Sequence, residues 1–268
     1  MPPFHVVVMA LTEGITELLP IGSSAHSVLF SAVAGWPEQS LALDLAAHIG
    51  LLAALLAYLW RDLLRLGEGF ADLVRGKEGV EARQVLPLIV ASLPPLVLGW
   101  FIQRYASVDF GSAPMVAWTS MGFAMLLFFA DRFALTVQRI EHLSLADAFL
   151  IGLAQLLGLA PGIGRLGAVV LAARLFACER QEAARMALLL SIPALAGACV
   201  SEALGLGDAP GAAPATDLLW AGGIAGLAGF LAIAFLMRWL ERGKFGIFAA
   251  YRLLVGGALV YLLYFRGA

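Results

Sequence analysis

The residue types best suited to chemistry are concentrated in one short segment of this chain, residues 13–26. Glu13 and Glu17 lie four residues apart there, so both side chains project from one face of a helix. Two carboxylates held close together can share a proton or bind a divalent cation. The alternative is structural, with Glu17 merely ending a helix. Because ionisable groups in apolar, membrane-like sequence are rarely idle, we interpret the pair as part of a functional site.

Small and hydroxylated residues follow the acids in the same segment. Gly22, Ser23 and Ser24 offer backbone N–H groups and hydroxyls, and such a turn at a helix start can hold an anion. Ser23 could instead serve only to cap the helix that follows. Histidine ordinarily titrates near neutral pH, so His26 could act as a nucleophile, a base or a leaving-group acid.

A second segment, residues 161–167, places one arginine among three glycines. Arg165 is suited to bidentate binding of phosphate or carboxylate, and glycine lets a ligand approach the backbone. Arg165 could also form a structural ion pair with an acid of the first segment, because a buried charge needs a partner. Arg174 is more ambiguous, since it could bind substrate or extend to the cytoplasmic interface. The three glycines are Gly162, Gly164 and Gly167.

The composition of the chain is that of an integral membrane protein. Of its 268 residues 61% are hydrophobic and 13% charged, with a mean hydropathy of +0.89. A soluble domain is closer to half apolar and a quarter charged. The net charge of −2 argues against nucleic acid as a partner. The two cysteines form neither a disulfide framework nor a metal-ligand spacing.

Six stretches are apolar over the roughly 20 residues that a helix needs to cross a bilayer. They are Ala42–Trp60, Val85–Gln103, Pro114–Ala130, Met186–Leu204, Leu218–Met237 and Ile247–Phe265. Two further apolar stretches, 4–35 and 145–177, are interrupted at residues 20–22 and 161–164. Proline and glycine at these interruptions should end a helix. We predict that both stretches are re-entrant hairpins, which enter the membrane partway and return.

Basic residues alternate between the connecting loops and so predict the orientation. The loop after the first span carries five of them, whereas the next loop carries only Arg104. Basic loops are then cytoplasmic and both termini lie outside. One hairpin followed by three spans occurs twice, in residues 1–131 and 132–268. Because three spans is an odd number, we predict an all-α membrane protein built as an inverted-topology repeat, which is compatible with a transporter and with an enzyme.

Other polar residues in the apolar stretches give weaker indications. Asp44 and His48, four apart on the first span, could support the site or form a satisfied buried pair. Glu202 and Arg252 could pair or lie near the membrane interfaces. A glycine-rich run, residues 222–226, permits close helix contacts, either within the chain or across a homodimer.

The two chemistry-bearing segments together resemble the undecaprenyl-pyrophosphate phosphatase family, the bacitracin-resistance type of integral membrane phosphatase. The first family motif reads roughly E-G-x-T-E-x-x-P-[IV]-S-S-[ST]-G-H and corresponds to residues 13–26. The second reads roughly P-G-x-S-R-S-G-A-T and corresponds to residues 161–169. Residues 43–50 and 189–193 are also similar. The resemblance extends over nearly the whole chain in length and in the order of spans.

The resemblance implies a phosphatase of the bacterial inner (cytoplasmic) membrane. Its substrate would be a polyprenyl (undecaprenyl) diphosphate, cleaved to the monophosphate on the outer side to recycle the lipid carrier of cell-envelope synthesis. The site would need a divalent cation, Mg²⁺ or Ca²⁺. Glu13 and Glu17 would bind the cation or act as acid and base, and Ser23 or His26 would be the nucleophile or its activator. Arg165 would bind the diphosphate, and other substrate contacts would come from Gly22, Ser24, Gly162, Gly164, Gly167 and Arg174.

This chain departs from the family motifs at several hydroxyl positions. Gly22 replaces a serine of the first motif, and Ala25 replaces its glycine. In the second motif, Gly164, Leu166 and Val169 replace serine, serine and threonine. We interpret each lost hydroxyl as a lost phosphate contact, worth roughly 1.5–3 kcal/mol if it is charge-assisted.

Three functions therefore compete. The first is hydrolysis of a polyprenyl diphosphate. The second is transport or flipping of a polyprenyl phosphate or a related anionic lipid, suggested by the inverted repeat and the missing hydroxyls. The third is a catalytically silent lipid-binding protein, against which the retained acids and histidine argue, because buried charges are expensive to keep without use.

Overall fold

A computed structural model describes residues 3–36, 39–77, 79–105, 112–206 and 213–265. These residues form eleven α-helices and two short 3-10 turns, and no strand occurs among them. The helices are α1 Pro3–Glu17, α2 Ser23–Ala34, α3 Leu41–Tyr58, α4 Trp60–Val74, α5 Val80–Tyr105, α6 Ala113–Phe133, α7 Leu145–Ala154, α8 Arg165–Leu175, α9 Arg180–Gly205, α10 Ala215–Trp239 and α11 Gly246–Phe265. The 3-10 turns are Ile140–His142 and Gln155–Leu159.

Six of these helices, α3, α5, α6, α9, α10 and α11, are long and apolar enough to cross a membrane. Each coincides with one predicted span, so the prediction of an all-α membrane fold is confirmed. The largest difference is at α9, which begins at Arg180 rather than at Met186. The six added residues are mostly polar, and a helix can continue through polar residues where its apolar segment ends.

Both predicted interruptions end a helix. The first break comprises residues 18–22, between α1 and α2, and the second break comprises residues 160–164, between the 3-10 turn Gln155–Leu159 and α8. Gly22, Gly162 and Gly164 have φ angles of 79°, 87° and 79°, a left-handed conformation that favours glycine. The entry of the α1–α2 and α7–α8 pairs partway into the membrane stays a prediction.

Helix α4 lies where a loop is predicted from the sequence. The predicted span Ala42–Trp60 stops at Tyr58, and a new helix begins at Trp60. Its apolar Leu63 and Leu66 pack against the core while Arg61 and Arg65 are exposed. Such an amphipathic helix carries too many charges to register as a span, although its apolar residues recur at helical spacing.

The helix packing brings the two breaks together. Helix α1 packs along α10, and α7 packs along α5, so the first helix of each pair lies on a span of the other half. Exchange of this kind is what an inverted repeat would produce, and the division at residues 131 and 132 remains a prediction. Gly50 of α3 meets the backbone of Gly222 and Gly226 in α10. This part of the glycine-rich run therefore serves packing within the chain.

Candidate active site

A cavity of about 790 Å³ lies where the two breaks meet. Its polar wall contains the acids of α1, the start of α2, two polar residues of α3 and the second break. Its apolar wall includes Phe30 and Trp36, which stack on each other with ring centroids 5.5 Å apart. The predicted site residues that line it are Glu13, Glu17, Ser23, Ser24, Gly164 and Arg165. Asp44 and His48 line it as well.

Glu17 is the centre of this site, because each of its oxygens has a different partner. Oε1 accepts from Arg165, with Nη2 at 2.6 Å and Nε at 3.3 Å. Oε2 accepts from the Ser23 hydroxyl at 2.9 Å. Both segments singled out by their chemistry thus converge on one carboxylate. The arrangement places a hydroxyl, a carboxylate and a guanidinium side by side, and these groups are suited to act as a nucleophile, a base and an anion-binding group.

Glu13 is held from the other side by His48. The Nε2 atom of His48 is 3.3 Å from Oε1 of Glu13, and its Nδ1 is 2.8 Å from Oε1 of Glu202. Gln39 donates to Oε2 of Glu13 at 3.3 Å. Because carboxylates accept hydrogen bonds, Nδ1 of His48 must donate to Glu202. His48 therefore supports the site, and Glu202 pairs with this histidine rather than with Arg252.

The two breaks are hydrogen-bonded to each other. The backbone N–H of Gly162 donates to Oγ of Ser24 at 2.7 Å. A Cβ atom added to Gly164 would lie 3.3 Å from the Cα atom of Gly22. Glycine at these positions therefore lets the two backbones approach, in addition to its tolerance of positive φ. Thr119 of α6 also holds the second break, because its hydroxyl donates to the carbonyl of Pro161 at 2.5 Å.

Gly22, Gly162 and Gly167, predicted to contact the substrate, do not line the cavity. Gly22 and Gly162 instead allow the backbones of the two breaks to come close to each other, and Gly167 packs against the ring of Phe123.

His26, predicted to be catalytic, lies outside the cavity lining and is buried. Its Nδ1–H donates to the carbonyl of Gly22 at 2.9 Å, and its Nε2 is 2.7 Å from the hydroxyl of Tyr251. In the neutral ring, Nε2 must then accept from Tyr251. With both nitrogens engaged and the ring stacked on Tyr251, His26 is placed to hold the first break rather than to contact the substrate.

Arg174 is also distant from the cavity. It is fully buried, forms an ion pair with Asp131 at 3.4 Å, and donates to the carbonyls of Ala134, Leu135 and Cys178. Nine residues separate it from Arg165, which is about 13 Å along a helix. The prediction that Arg174 binds substrate is therefore corrected: its guanidinium ties α8 to the segment after α6.

The lost hydroxyls of the second motif do not all face the ligand. Leu166 is 2% exposed and Val169 is 1% exposed, and both belong to the apolar core. Only Gly164 among the three substituted positions lines the cavity. The interpretation of all three as lost phosphate contacts is corrected accordingly, because the helix turns two of these positions away from the site.

Helix α11 contributes two residues to this region that the sequence motifs did not indicate. Arg252 is fully buried and donates to carbonyls of both breaks, while its neighbour Tyr251 binds His26. The available signal was a lone arginine in the middle of an apolar span, which is a functional hypothesis by default.

The carboxylates that line the cavity could hold a divalent cation only if substrate or water supplied further ligands. No group of three or more His, Cys, Asp or Glu side chains able to hold a metal occurs in the described parts of the chain. Mg²⁺ usually binds through one or two carboxylates together with substrate phosphates and water. Glu13 and Glu17 supply such carboxylates on one cavity wall.

Comparison with known proteins places the chain in a family. The family model described as Bacitracin resistance protein BacA matches residues 6–258. The undecaprenyl-diphosphatase 1 of Rhodospirillum rubrum is 41% identical over 267 residues, covering 97% of this chain and 95% of that protein. The undecaprenyl-diphosphatase of Roseobacter denitrificans is 38% identical (97% and 98% covered), and that of Desulforudis audaxviator is 36% identical with both chains fully covered. The chain belongs to the BacA family, as its two motifs indicated.

Proposed function

We propose that this protein is a membrane phosphatase that hydrolyses a polyprenyl diphosphate, undecaprenyl diphosphate in its relatives' names, to the monophosphate. The observation that carries the proposal is the Glu17 carboxylate, bonded to the Ser23 hydroxyl and to Arg165 in one cavity. Membership of a family whose relatives are named undecaprenyl-diphosphatases supports it. The biological role would be recycling of the lipid carrier for cell-envelope synthesis.

Ser23 is the nucleophile in this mechanism, and Glu17 is its base. The Ser23 oxygen attacks the terminal phosphorus while its proton passes to Oε2 of Glu17, 2.9 Å away. The bond from phosphorus to the bridging oxygen breaks, and polyprenyl phosphate leaves with the proton returned by Glu17. Glu17 then accepts a proton from a water molecule that attacks the phosphoserine. The serine oxygen takes that proton back as inorganic phosphate is released.

Arg165 has two tasks in this scheme. Its Nε and Nη2 hold Oε1 of Glu17, which leaves Oε2 directed at Ser23. Its remaining nitrogen, Nη1, can donate to a diphosphate oxygen and stabilise the charge that develops during transfer. Glu13, which takes no part in these proton transfers, would hold the divalent cation, Mg²⁺ or Ca²⁺, and the cation would neutralise charge on the phosphate oxygens. Metal binding by Glu17 as well stays a prediction. His48 and Gln39 orient Glu13 for that task.

The competing function, transport of a polyprenyl phosphate, is less well supported. The relatives are named as diphosphatases, and the serine–carboxylate–arginine arrangement suits group transfer. We further propose that the reaction takes place on the outer side of the bacterial cytoplasmic membrane. The support is the alternation of basic loops, from which the first hairpin is predicted to enter the membrane from that side.

Release of phosphate from undecaprenyl diphosphate by the purified protein in detergent tests the proposal. We expect turnover with Mg²⁺ or Ca²⁺ and loss of turnover with a chelator. Glu17→Gln should lower kcat by ~10²–10⁴-fold because the base is lost. Ser23→Ala should lower it by about 10³-fold or more because the nucleophile is lost. Arg165→Ala should lower it by ~10²–10³-fold.

The control is Glu68→Gln, which removes a carboxylate on the exposed face of α4 and should leave kcat within about twofold of the wild type. A wild-type rate in Glu17→Gln would contradict the site assignment. Undiminished turnover in Ser23→Ala would show direct attack by water. Lipid binding without phosphate release would favour transport instead.

A further inference from the structure

Arg252 in α11 is fully buried and touches both breaks. Its Nη1 donates to the carbonyl of Pro20 in the first break at 3.3 Å. The same atom donates to the carbonyl of Ile163 in the second break at 2.8 Å. Its Nη2 donates to the carbonyl of Gly162. One planar group thus satisfies three carbonyls from two chain segments that belong to different halves of the sequence.

The surroundings of the Arg252 guanidinium are shaped to receive it. Its Cζ atom lies 4.5 Å from the centroid of the Phe123 ring in α6, at stacking distance. A Cβ atom added to Gly22 would lie 3.5 Å from Nη2, and one added to Gly167 would lie 3.4 Å from Nη1. Glycines of both motifs therefore border this group, although neither lines the cavity.

The contacts of Arg252 differ from those of the other buried or half-buried arginines. Arg165, Arg174, Arg180 and Arg185 each form an ion pair with a carboxylate. No ion pair links Arg252 to a carboxylate of the described residues. Its hydrogen bonds are instead made to the backbone of the breaks. A guanidinium can serve diverging carbonyls through its rigid fork, whereas a lysine ammonium is a point charge on a flexible stem.

We propose that Arg252 is a positioning residue for the phosphatase reaction: it sets the distance between Ser23 and Arg165. The inference rests on the proposed function. Ser23 lies three residues after Pro20, and Arg165 lies two residues after Ile163, so Arg252 holds the backbone within one short turn of both groups. Because Arg252 itself does not line the cavity, it acts through the breaks and not by contact with the substrate.

Steady-state kinetics of Arg252→Lys and Arg252→Met, normalised to folded protein, test this role. We expect kcat to fall by about 30-fold or more in both variants, since a displacement of ~1 Å can lower a rate by ~100-fold. The KM for undecaprenyl diphosphate should stay within about threefold, because the cavity lining is unchanged. The matched control is Arg174→Lys, which alters an equally buried guanidinium bound to backbone carbonyls away from the cavity and should leave kcat per folded molecule within about twofold.

Chemical rescue separates positioning from loss of folding. Arg252→Ala should regain at least about fivefold in kcat when guanidinium chloride is added at concentrations that leave the wild type folded, because free guanidinium can refill the planar site. Arg174→Ala should show no such gain. If the Arg252 variants do not fold, Phe123→Leu decides. It removes the ring beneath the guanidinium but keeps the hydrogen bonds, and kcat should fall by about three- to tenfold.

The outcomes are distinct. An inactive wild-type protein would overturn the proposed function and this inference together. An active wild type with normal kcat in Arg252→Lys and Arg252→Met would overturn only the role of Arg252. Two further results would also overturn the role of Arg252: an equal loss of kcat in the Arg252 and Arg174 variants, or equal rescue of both alanine variants by guanidinium. If the Arg252 variants do not fold, an unchanged kcat in Phe123→Leu would overturn it too.

Discussion

The two glutamates of the cavity each have a partner on another helix. Glu17 of α1 pairs with Arg165 of α8, and Glu13 of α1 is held by His48 of α3. Removing one member of a partly buried pair leaves the other charge unpaired, which can cost about 3–5 kcal/mol when burial is deep. Substitutions such as Glu17→Gln, which keep shape and some hydrogen bonding, therefore report on chemistry more cleanly than truncations.

Val169→Thr tests at residue scale whether the hydroxyl missing from the second motif affects catalysis. Val169 lies in the apolar core, so the new hydroxyl would not reach a phosphate. We expect kcat within about twofold of the wild type. A buried hydroxyl without a partner should lower the free energy of unfolding by about 1–3 kcal/mol. Phosphate release and thermal unfolding in detergent measure the two quantities.

The control for this prediction is Val170→Thr, the same change at the next position of α8, which is also fully buried. Both variants should lose stability and keep kcat. An increase in kcat of tenfold or more in Val169→Thr alone would restore the interpretation of Val169 as a lost phosphate contact.

At the scale of elements, α10 supports two of the helices that form the polar wall of the site. It packs against α1, which carries Glu13 and Glu17, and against α3, which carries His48. The contact with α3 is close because glycines face each other. A Cβ atom on Gly50 would collide with the backbone of Gly222 and come within 3.0 Å of the amide nitrogen of Gly226. Such contacts allow two helix backbones to approach to a distance that larger residues exclude.

Gly50→Ala should therefore push α3 away from α10. Overpacking of this kind typically lowers the free energy of unfolding by about 1–3 kcal/mol. The melting temperature in detergent should fall, and kcat should fall with it, because His48 lies on the displaced helix. Gly223→Ala is the control, since nothing lies within 4 Å of a Cβ atom at that position. If Gly50→Ala and Gly223→Ala both melt at or above the melting temperature of the wild type, the close packing of α3 against α10 is contradicted.

For the whole molecule, the site exists only where the two halves of the sequence meet. Ser23 and Glu17 come from the first half, and Arg165 and Gly164 come from the second. The Gly162–Ser24 hydrogen bond and the Arg252 contacts join the halves at this point. Neither half alone contains Ser23, the proposed nucleophile, together with Glu17, its proposed base, and Arg165.

The predicted orientation can be checked by labelling with a membrane-impermeant maleimide. Lys77→Cys, in the basic loop after α4, should be protected in intact cells, whereas Ser112→Cys, at the start of α6, should react. Both positions are exposed. Cys199 is replaced by alanine as background. Cys178 can stay, because burial raises the pKa of its thiol to about 12 and so suppresses the reactive thiolate. The reverse labelling pattern would invert the orientation.

The sequence by itself determined the spans, the breaks and the family. Hydropathy over some 20 residues is a local property, and proline and glycine act on the backbone where they stand. The pairing of the acids with an arginine of the second motif was also foreseen as an alternative, because a buried charge needs a partner. Helix α4 was not predicted because its apolar residues lie on one face of the helix and do not form a continuous apolar stretch.

Only the tertiary structure decided which way each side chain points and what it meets. His26 turns to Tyr251, Arg174 to Asp131, and Leu166 and Val169 to the core, although all four lie in or near the motifs. His48 pairs with Glu202. Arg252 joins the two breaks, whose bonded carbonyls at Pro20 and Ile163 lie 232 and 89 residues before it in the sequence. These outcomes depend on how distant helices pack. A local sequence pattern shows what chemistry a residue could perform, whereas the partner of that residue comes from another part of the fold.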